Sequence, residues 1–471
     1  MEESFIQKIK PHFSLIKKLS PVKLIALSFI GLILIGSLLL YLPVSCKTET
    51  SYLNHLFIAT SASCVTGLVT VTPCEQYTVF GQIILLFLIQ IGGLGFLTLL
   101  MIFYSVVDQR LNLSSKMMLQ QALNINTLNG ISKYLYKIIQ YTLIMEGSGW
   151  VLLTIAFSRY YSFGKALWYG LFHSISAFCN AGFDLLGNSS LIAFQYDVAI
   201  NLIICALIIM GGLGFIVHLD IENKVKREYK SYKQSEFKYH FSFKRFIGSL
   251  ALHTKIVLIM TLVLTLGGMI GFWVLEANNT LAGESIFHQM LLSFFQSVTL
   301  RTAGFSTMDY ASLKDATKLF MCIFMMIGGS PAGTAGGLKS VTIFIVFMSF
   351  IHYLKNSKEN VVFNFAIKDE DQRVAGNLFF LGVLCITVMV MLLSLVDDHA
   401  FIDIVFEIFS AFGTVGITAG ITSTLSNAGK ILIIILMYAG RIGPATLVLS
   451  FITTKRKNAD ITHPSGNILI G

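Results

Sequence analysis

Four short turns recur in a chain that is otherwise strongly apolar. They read Val65-Thr66-Gly67-Leu68, Asn180-Ala181-Gly182-Phe183, Thr302-Ala303-Gly304-Phe305 and Thr414-Val415-Gly416-Ile417. Each carries glycine third and a large apolar residue fourth. The chemistry such turns suit is coordination of a bare cation by backbone oxygen. Four of them around one axis can aim carbonyls inward in place of a hydration shell, and helices ending there add their negative C-terminal dipoles. Glycine is needed at positions 67, 182, 304 and 416 because a turn that points its carbonyls at an axis often takes φ > 0, and a side chain there would crowd the opening. The flanking residues differ from turn to turn, as expected if backbone rather than side chains holds the ion. Any one turn alone reads as a plain loop; four in register read as a filter.

The elements that position these turns follow from hydropathy. Of 471 residues 55% are hydrophobic and 13% charged, and the mean hydropathy is +0.73, which places the chain among polytopic membrane proteins. Apolar segments long enough to cross a bilayer fall near 22–42, 77–105, 138–158, 193–217, 255–275, 315–350, 374–396 and 430–452. Between the members of each pair lies a shorter apolar stretch, near 52–64, 167–178, 284–299 and 401–412, which reads as re-entrant. The expected fold class is therefore all-α and polytopic. It comprises four repeats of span, pore helix, filter loop and span, giving eight transmembrane helices and four re-entrant pore helices in pseudo-fourfold arrangement around one pore.

The repeat extends beyond the turns. Ser61-Ala62, Ser176-Ala177 and Ser410-Ala411 precede three of them at the same distance, with Val298-Thr299 the exception. Each second span carries a glycine pair or its remnant: Gly92-Gly93, Gly211-Gly212, Gly328-Gly329 and Ala439-Gly440.

Charge placement sets the orientation. The formal net charge is +9, and Lys and Arg crowd the N-terminus, the segments 110–137, 224–245 and 355–373, and the tail at 455–457. Every second loop is basic, so both termini are expected in the cytoplasm of a multi-pass cell-membrane protein, with the re-entrant segments dipping from outside. The basic, Tyr- and Phe-interleaved stretch at 221–245 reads as a topogenic loop rather than a nucleic-acid patch. The run 24–42 is too long for a signal-peptide core and reads as the first span. Seven scattered cysteines form no C-x-x-C pair; Cys46 and Cys74 are the one pair that the topology can bring to a common face.

Inside the sixth span, Gly328-Gly329-Ser330-Pro331-Ala332-Gly333-Thr334-Ala335-Gly336-Gly337 breaks the helix, since glycine and proline disfavour it. Broken backbone at membrane depth must be wrapped in protein or line a wet cavity. By the repeat, this stretch should cross the axis beneath the filter and act as its gate, with Lys339 and Ser340 marking where the helix resumes. It resembles a phosphate-binding loop only superficially: Leu338 separates the last glycine from Lys339, and no βα unit surrounds it. Arg441, within the last span, is a costly charge expected either to repel a passing cation or to donate to carbonyls freed by the break. Glu146 reads as a structural partner of a neighbouring helix, with a cation site as the alternative. Asp184 and Asp309 should sit at the outer mouth, either concentrating cations there or as ordinary solvated loop acids.

With these features in place the sequence resembles the Trk, Ktr and related plant family of potassium-uptake proteins, most nearly the Ktr-type membrane subunit. The resemblance runs from the first span to the last and rests on the four turns, on Arg301-Thr302-Ala303-Gly304-Phe305, on the broken third-unit helix and on Arg441. It implies uptake of K+ held by filter carbonyls alone, a homodimer with one pore per protomer, and a cytosolic ring of RCK/KTN-type regulatory subunits. No cofactor is expected in this chain, and ATP or ADP is expected on that partner. Sodium-carrying plant relatives have serine at the first filter glycine, so Gly67 favours potassium. The nearest alternative is a sodium or mixed potassium/sodium transporter; a secondary transporter of an organic substrate is more remote, and a membrane-embedded enzyme lacks clustered acid–base residues. The expected divisions are a cytoplasmic tail (1–21), repeat 1 (22–107), repeat 2 with its preceding segment (108–219), a basic loop with repeat 3 (220–354), a loop with repeat 4 (355–454) and a C-terminal tail (455–471).

Overall fold

The computed structural model describes residues 21–95, 131–187, 189–234, 242–356 and 359–443. The basic N-terminal tail, most of the basic segment 110–137, part of 224–245, the ends of the spans expected at 77–105 and 430–452, and the tail at 455–457 lie outside these residues.

The chain is largely helical, as a lipid-immersed backbone that must satisfy its own hydrogen bonds requires. Its main helices are α1 (Pro21–Tyr41), α2 (Tyr52–Ser63), α3 (Val79–Leu94), α4 (Ile131–Phe157), α5 (Phe163–Phe178), α6 (Val198–Gly212), α7 (Phe215–Gln234), α8 (Leu252–Glu276), α9 (Ile286–Thr299), α10 (Asp315–Met326), α11 (Ser340–Leu354), α12 (Asp369–Val396), α13 (Phe401–Gly413) and α14 (Asn427–Ile442). Among the described residues, α4 (over Leu135–Phe157), α8 and α12 are long and apolar enough to cross a membrane, and the bent pair α6–α7 adds a fourth. Ala26–Tyr41, Val79–Leu94 and Ser340–Leu354 are shorter apolar helices at positions expected to span. Exposed apolar side chains such as Leu38, Leu143, Leu262 and Met391 give these helices a lipid-facing side.

The four short helices α2, α5, α9 and α13 fall where re-entrant segments were expected, and they are buried. In α2, His55 and Phe57 through Ser63 are all shielded. Each short helix packs against the long helix before it: α1 on α2, α4 on α5, α8 on α9 and α12 on α13. The helix after it also reaches the next unit: α3 packs on α5, α6 on α9, α10 on α13, and α14 returns to α2. The packing therefore closes on itself.

Capping fixes where the second helices begin. Thr78 accepts from Gly81 N (3.3 Å), Asp197 from Ile200 N (3.0 Å) and Ser426 from Gly429 N (3.0 Å). In the third unit, Lys314 N donates to the fully buried Glu276 Oε1 at 3.1 Å, so a glutamate from α8 takes over the role.

Three features add to the sequence reading. The glycine clusters of the other units end helices as well: α3, α6 and α14 stop at Gly95, Gly214 and Gly443 or just before, with φ of 85°, 86° and 93°, and α6 and α7 meet at 93°. The cause is a glycine that leaves the helical region at an equivalent place in each unit. A small antiparallel hairpin, β1 (Val361–Val362) with β2 (Phe365–Ala366), lies in the loop 355–373. Cys46 and Cys74 are free thiols, Cys46 Sγ donating to Leu40 O at 3.0 Å.

Candidate functional site: four glycine turns above a folded loop

Each short helix ends in the same backbone conformation. Val65, Asn180, Thr302 and Thr414 take φ of 56°, 58°, 64° and 51°, and two residues on, the glycines take 101°, 68°, 79° and 91°. Left-handed backbone is unfavourable for Val and Thr, so the burial around the turns must enforce it. Hydrogen bonds back to the helix end do part of this. Thr66 N donates to Ser61 O, Ala181 N to Ser176 O and Val415 N to Ser410 O, each at 2.8 Å. The serine hydroxyls complete the clasp: Ser61 and Ser410 Oγ accept from Gly67 N (3.0 Å) and Gly416 N (3.1 Å), and Ser176 Oγ donates to Phe183 O (2.6 Å). The third unit, the exception in sequence, uses Thr299 one residue later. Its Oγ1 donates to Phe305 O at 2.7 Å and its carbonyl accepts from Ala303 N at 2.9 Å.

The glycines surround one point. A Cβ on Gly67 would meet Ala181 O at 2.7 Å, one on Gly182 would meet Ala303 O at 2.7 Å, one on Gly304 would meet Val415 O at 2.6 Å, and one on Gly416 would clash with Thr66 O. Each glycine thus touches the carbonyl preceding the next glycine, and the fourth touches the first. The twelve filter residues expected from sequence come together here, and Val65, Thr66, Asn180, Ala181, Thr302, Ala303, Thr414 and Val415 are all buried. All four glycines line a cavity of about 240 Å³ that Asp184 and Asp309 also border.

Sequence reasoning missed a second layer behind the turns. Polar side chains on the hidden faces of the short helices brace the chain that leaves each turn. His55 Nδ1 lies 3.0 Å from Tyr77 Oη; Gln296 accepts from Tyr310 Oη (2.6 Å) and donates to Thr307 Oγ1 (3.0 Å); Glu407 accepts from Thr418 Oγ1 (2.7 Å) and from Thr422 Oγ1. His173 is buried against Phe305. The available signal was a large polar side chain, His55, His173, Gln296 or Glu407, set among the apolar residues of each short helix, since such a group is seldom buried without a partner.

Below the turns the residues between α10 and α11 fold back on themselves. Ile327 and Leu338 form a parallel bridge, with Gly328 N donating to Leu338 O at 2.8 Å, and Ser340 N reaches Gly329 O at 3.1 Å. Lys339 caps the start of α11 and its Nζ donates to Ala335 O at 2.6 Å. Three neighbours hold this loop. Toward unit two, Ser330 N donates to Gly212 O (3.0 Å), Thr334 N to Gly211 O (3.4 Å), and Ala332 O accepts from Phe215 N (3.0 Å). Toward the turns, Thr334 Oγ1 donates to Phe178 O (3.1 Å) and approaches Asn180 Oδ1 (3.3 Å), while Gly336 lies so close under the Thr414 side chain that a Cβ would not fit. From unit four, Arg441 donates to Thr334 O, to Gly92 O and to Gly93 O (3.0 Å). Arg441 is thus a donor to buried backbone carbonyls, one of them in the broken loop, as in the second of the two roles the sequence left open. Glu146 pairs with a neighbouring helix, accepting from Gln90 Nε2 at 2.9 Å.

This arrangement has counterparts. Residues 20–461 match the TrkH family, described as cation transport proteins. The chain belongs to that family. Its members of known name include the potassium/sodium uptake protein NtpJ of Enterococcus hirae, 37% identical over 97% of this chain and 98% of the relative. They also include the Ktr system potassium uptake protein B of Bacillus subtilis, 36% identical over 96% and 97%. The crystal structure of the potassium transporter TrkH from Vibrio parahaemolyticus shares the fold, with a TM-score of 0.67 at 16% identity over 90% of this chain and 84% of that one. The family transports ions and is not enzymatic, and its membrane-embedded character accords with the apolar helices described above.

Proposed function

We propose that this chain takes up potassium through one gated pore, with the four glycine turns as the filter and the loop 328–337 with Arg441 as the gate. The observation that carries the reading is the closed ring in which each filter glycine abuts the carbonyl preceding the next. A ring of carbonyls is the element that substitutes for a cation's hydration shell, and the cyclic helix packing supports four repeats in pseudo-fourfold arrangement, with eight spans and four pore helices in the divisions given above. The names of the relatives support potassium as the ion. The name of the Enterococcus hirae relative supports a second reading, mixed potassium and sodium passage.

In this reading the protein sits in the cell membrane with both termini cytoplasmic and works as a homodimer. A cytosolic RCK/KTN-type ring carrying ATP or ADP docks on its basic loops. The test is tracer uptake by the purified protein in liposomes, with potassium and sodium in competition. Removal of residues 330–336 is expected to raise potassium uptake at least tenfold without any partner; unchanged uptake in folded protein overturns the gate. Preference for neither ion overturns the filter.

The outer mouth makes a pH prediction. Burial raises the Asp184 carboxyl to about 6, against the opposing pull of its bonds from Ser190 and Leu186 N. Above that pH the carboxylate is charged and raises the local cation concentration; below it the group is neutral. Uptake at low potassium should therefore fall as external pH drops through about 6. Asp184→Asn should lower uptake at pH 7.5 and flatten the profile, and a profile identical to that of the parent protein would remove Asp184 from the mouth.

A further inference from the structure

Helix α6 ends at membrane depth with carbonyls that no intrahelical donor can reach. Among the described residues Ile209 O accepts from Leu213 N (3.0 Å) and Met210 O from His218 Nε2 (2.8 Å). The last two caps come from the loop: Gly211 O accepts from Thr334 N and Gly212 O from Ser330 N. Any motion that carries the loop off the axis takes these two donors away from both carbonyls. A buried acceptor left unpaired costs about 1–3 kcal/mol, so a protein donor that replaces them at this place favours the open state.

One is present. Arg301, at the end of α9, is only 3% exposed. Its Nη2 donates to Thr261 Oγ1 at 3.2 Å, while Nε and Nη1 have no partner among the described residues. A Cβ on Gly212 would lie 3.8 Å from Nη2, so the guanidinium stands beside the end of α6. The Arg301 backbone is fixed independently, since its carbonyl accepts from Asn180 Nδ2 at 3.2 Å. A half-satisfied buried guanidinium is unusual enough to require a reason. The equivalent positions of the other turns are Cys64, Cys179 and Gly413, none of which can donate in this way.

We propose that Arg301 is a positioning residue of the gate: when the loop leaves, the free N–H groups of Arg301 take over the carbonyls of Gly211 and Gly212 and hold the conducting state. The inference rests on the gate reading above. Five planar donors suit it to two adjacent carbonyls, which a lysine cannot bridge equally well.

The experiment measures tracer potassium uptake per folded protein in liposomes for Arg301→Met, both in the intact chain and in the chain lacking residues 330–336. In the intact chain uptake should fall about tenfold, because one capped carbonyl's worth of stabilisation is lost from the open state. Without the loop there is no closed state to compete, and the same substitution should leave uptake unchanged while lowering thermal stability. An equal fall in both backgrounds would mean that the charge acts on permeation; no fall in the intact chain would remove Arg301 from gating. Either overturns the inference while the gate stands. If loop removal does not raise uptake, the gate itself is wrong and this inference goes with it. Should Arg301→Met not fold, Arg301→Lys carries the same comparison, with about a threefold fall expected in the intact chain only.

Discussion

Gly67→Ser is expected to lower the potassium-to-sodium uptake ratio about tenfold while leaving a conducting protein. Gly67 has φ of 101°, where any side chain is strained by about 1–3 kcal/mol. Its new Cβ would press on Ala181 O from 2.7 Å away. That oxygen must then move, and the field at the centre weakens on one side. A loss of 1.4 kcal/mol in the preference for one ion over the other is a factor of about ten. Gly164→Ser is the control, because a Cβ there meets nothing within 4 Å. Competitive tracer uptake decides: an unchanged ratio for Gly67→Ser, or an equal fall for Gly164→Ser, contradicts the filter.

Arg441→Ala is expected to raise unstimulated uptake by about tenfold or more. The substitution removes the donors to Thr334 O, Gly92 O and Gly93 O together. Thr334 O is the loop's own acceptor, and once it is unpaired at a cost of about 1–3 kcal/mol and no longer tied through Arg441 to the end of α3, the folded-back loop loses much of its advantage over a displaced one. Removal of the positive charge also lowers any electrostatic barrier to a cation passing the loop, and both effects have the same sign. Arg441→Lys should leak less, since it restores charge but not the forked donation. Liposome leak measured before any partner is added is the readout; a leak equal to the parent's in folded Arg441→Ala would show that the arginine does not hold the gate.

Much of this organisation was legible in sequence because its signals are repeated. The turn at Gly67 is unremarkable until Gly182, Gly304 and Gly416 appear at corresponding places, and the helix positions followed from apolar run length. Where reading failed, side-chain identity did not determine geometry. Val65 and Thr414 sit in left-handed backbone that their own preferences oppose, so only the packed ring reveals it. Thr299 serves for a missing serine from one residue along, which a strict register hides. The helix ends at Gly95, Gly214 and Gly443 lay in glycine clusters already visible, Gly443 with Pro444 directly after it, yet only the third unit had a longer polar stretch to announce itself. Arg301 stands out in sequence as part of a motif, but that its Nε and Nη1 lack partners among the described residues is visible only in three dimensions.

The closed glycine ring is built from one polypeptide, and the residues before its glycines are not all alike: Thr66, Ala181, Ala303 and Val415. In a pore assembled from four identical subunits, one codon change alters every quadrant together. Here it alters a single quadrant. Ion preference can therefore drift in small steps under selection, and a lineage can pass from strict to mixed cation use through functional intermediates.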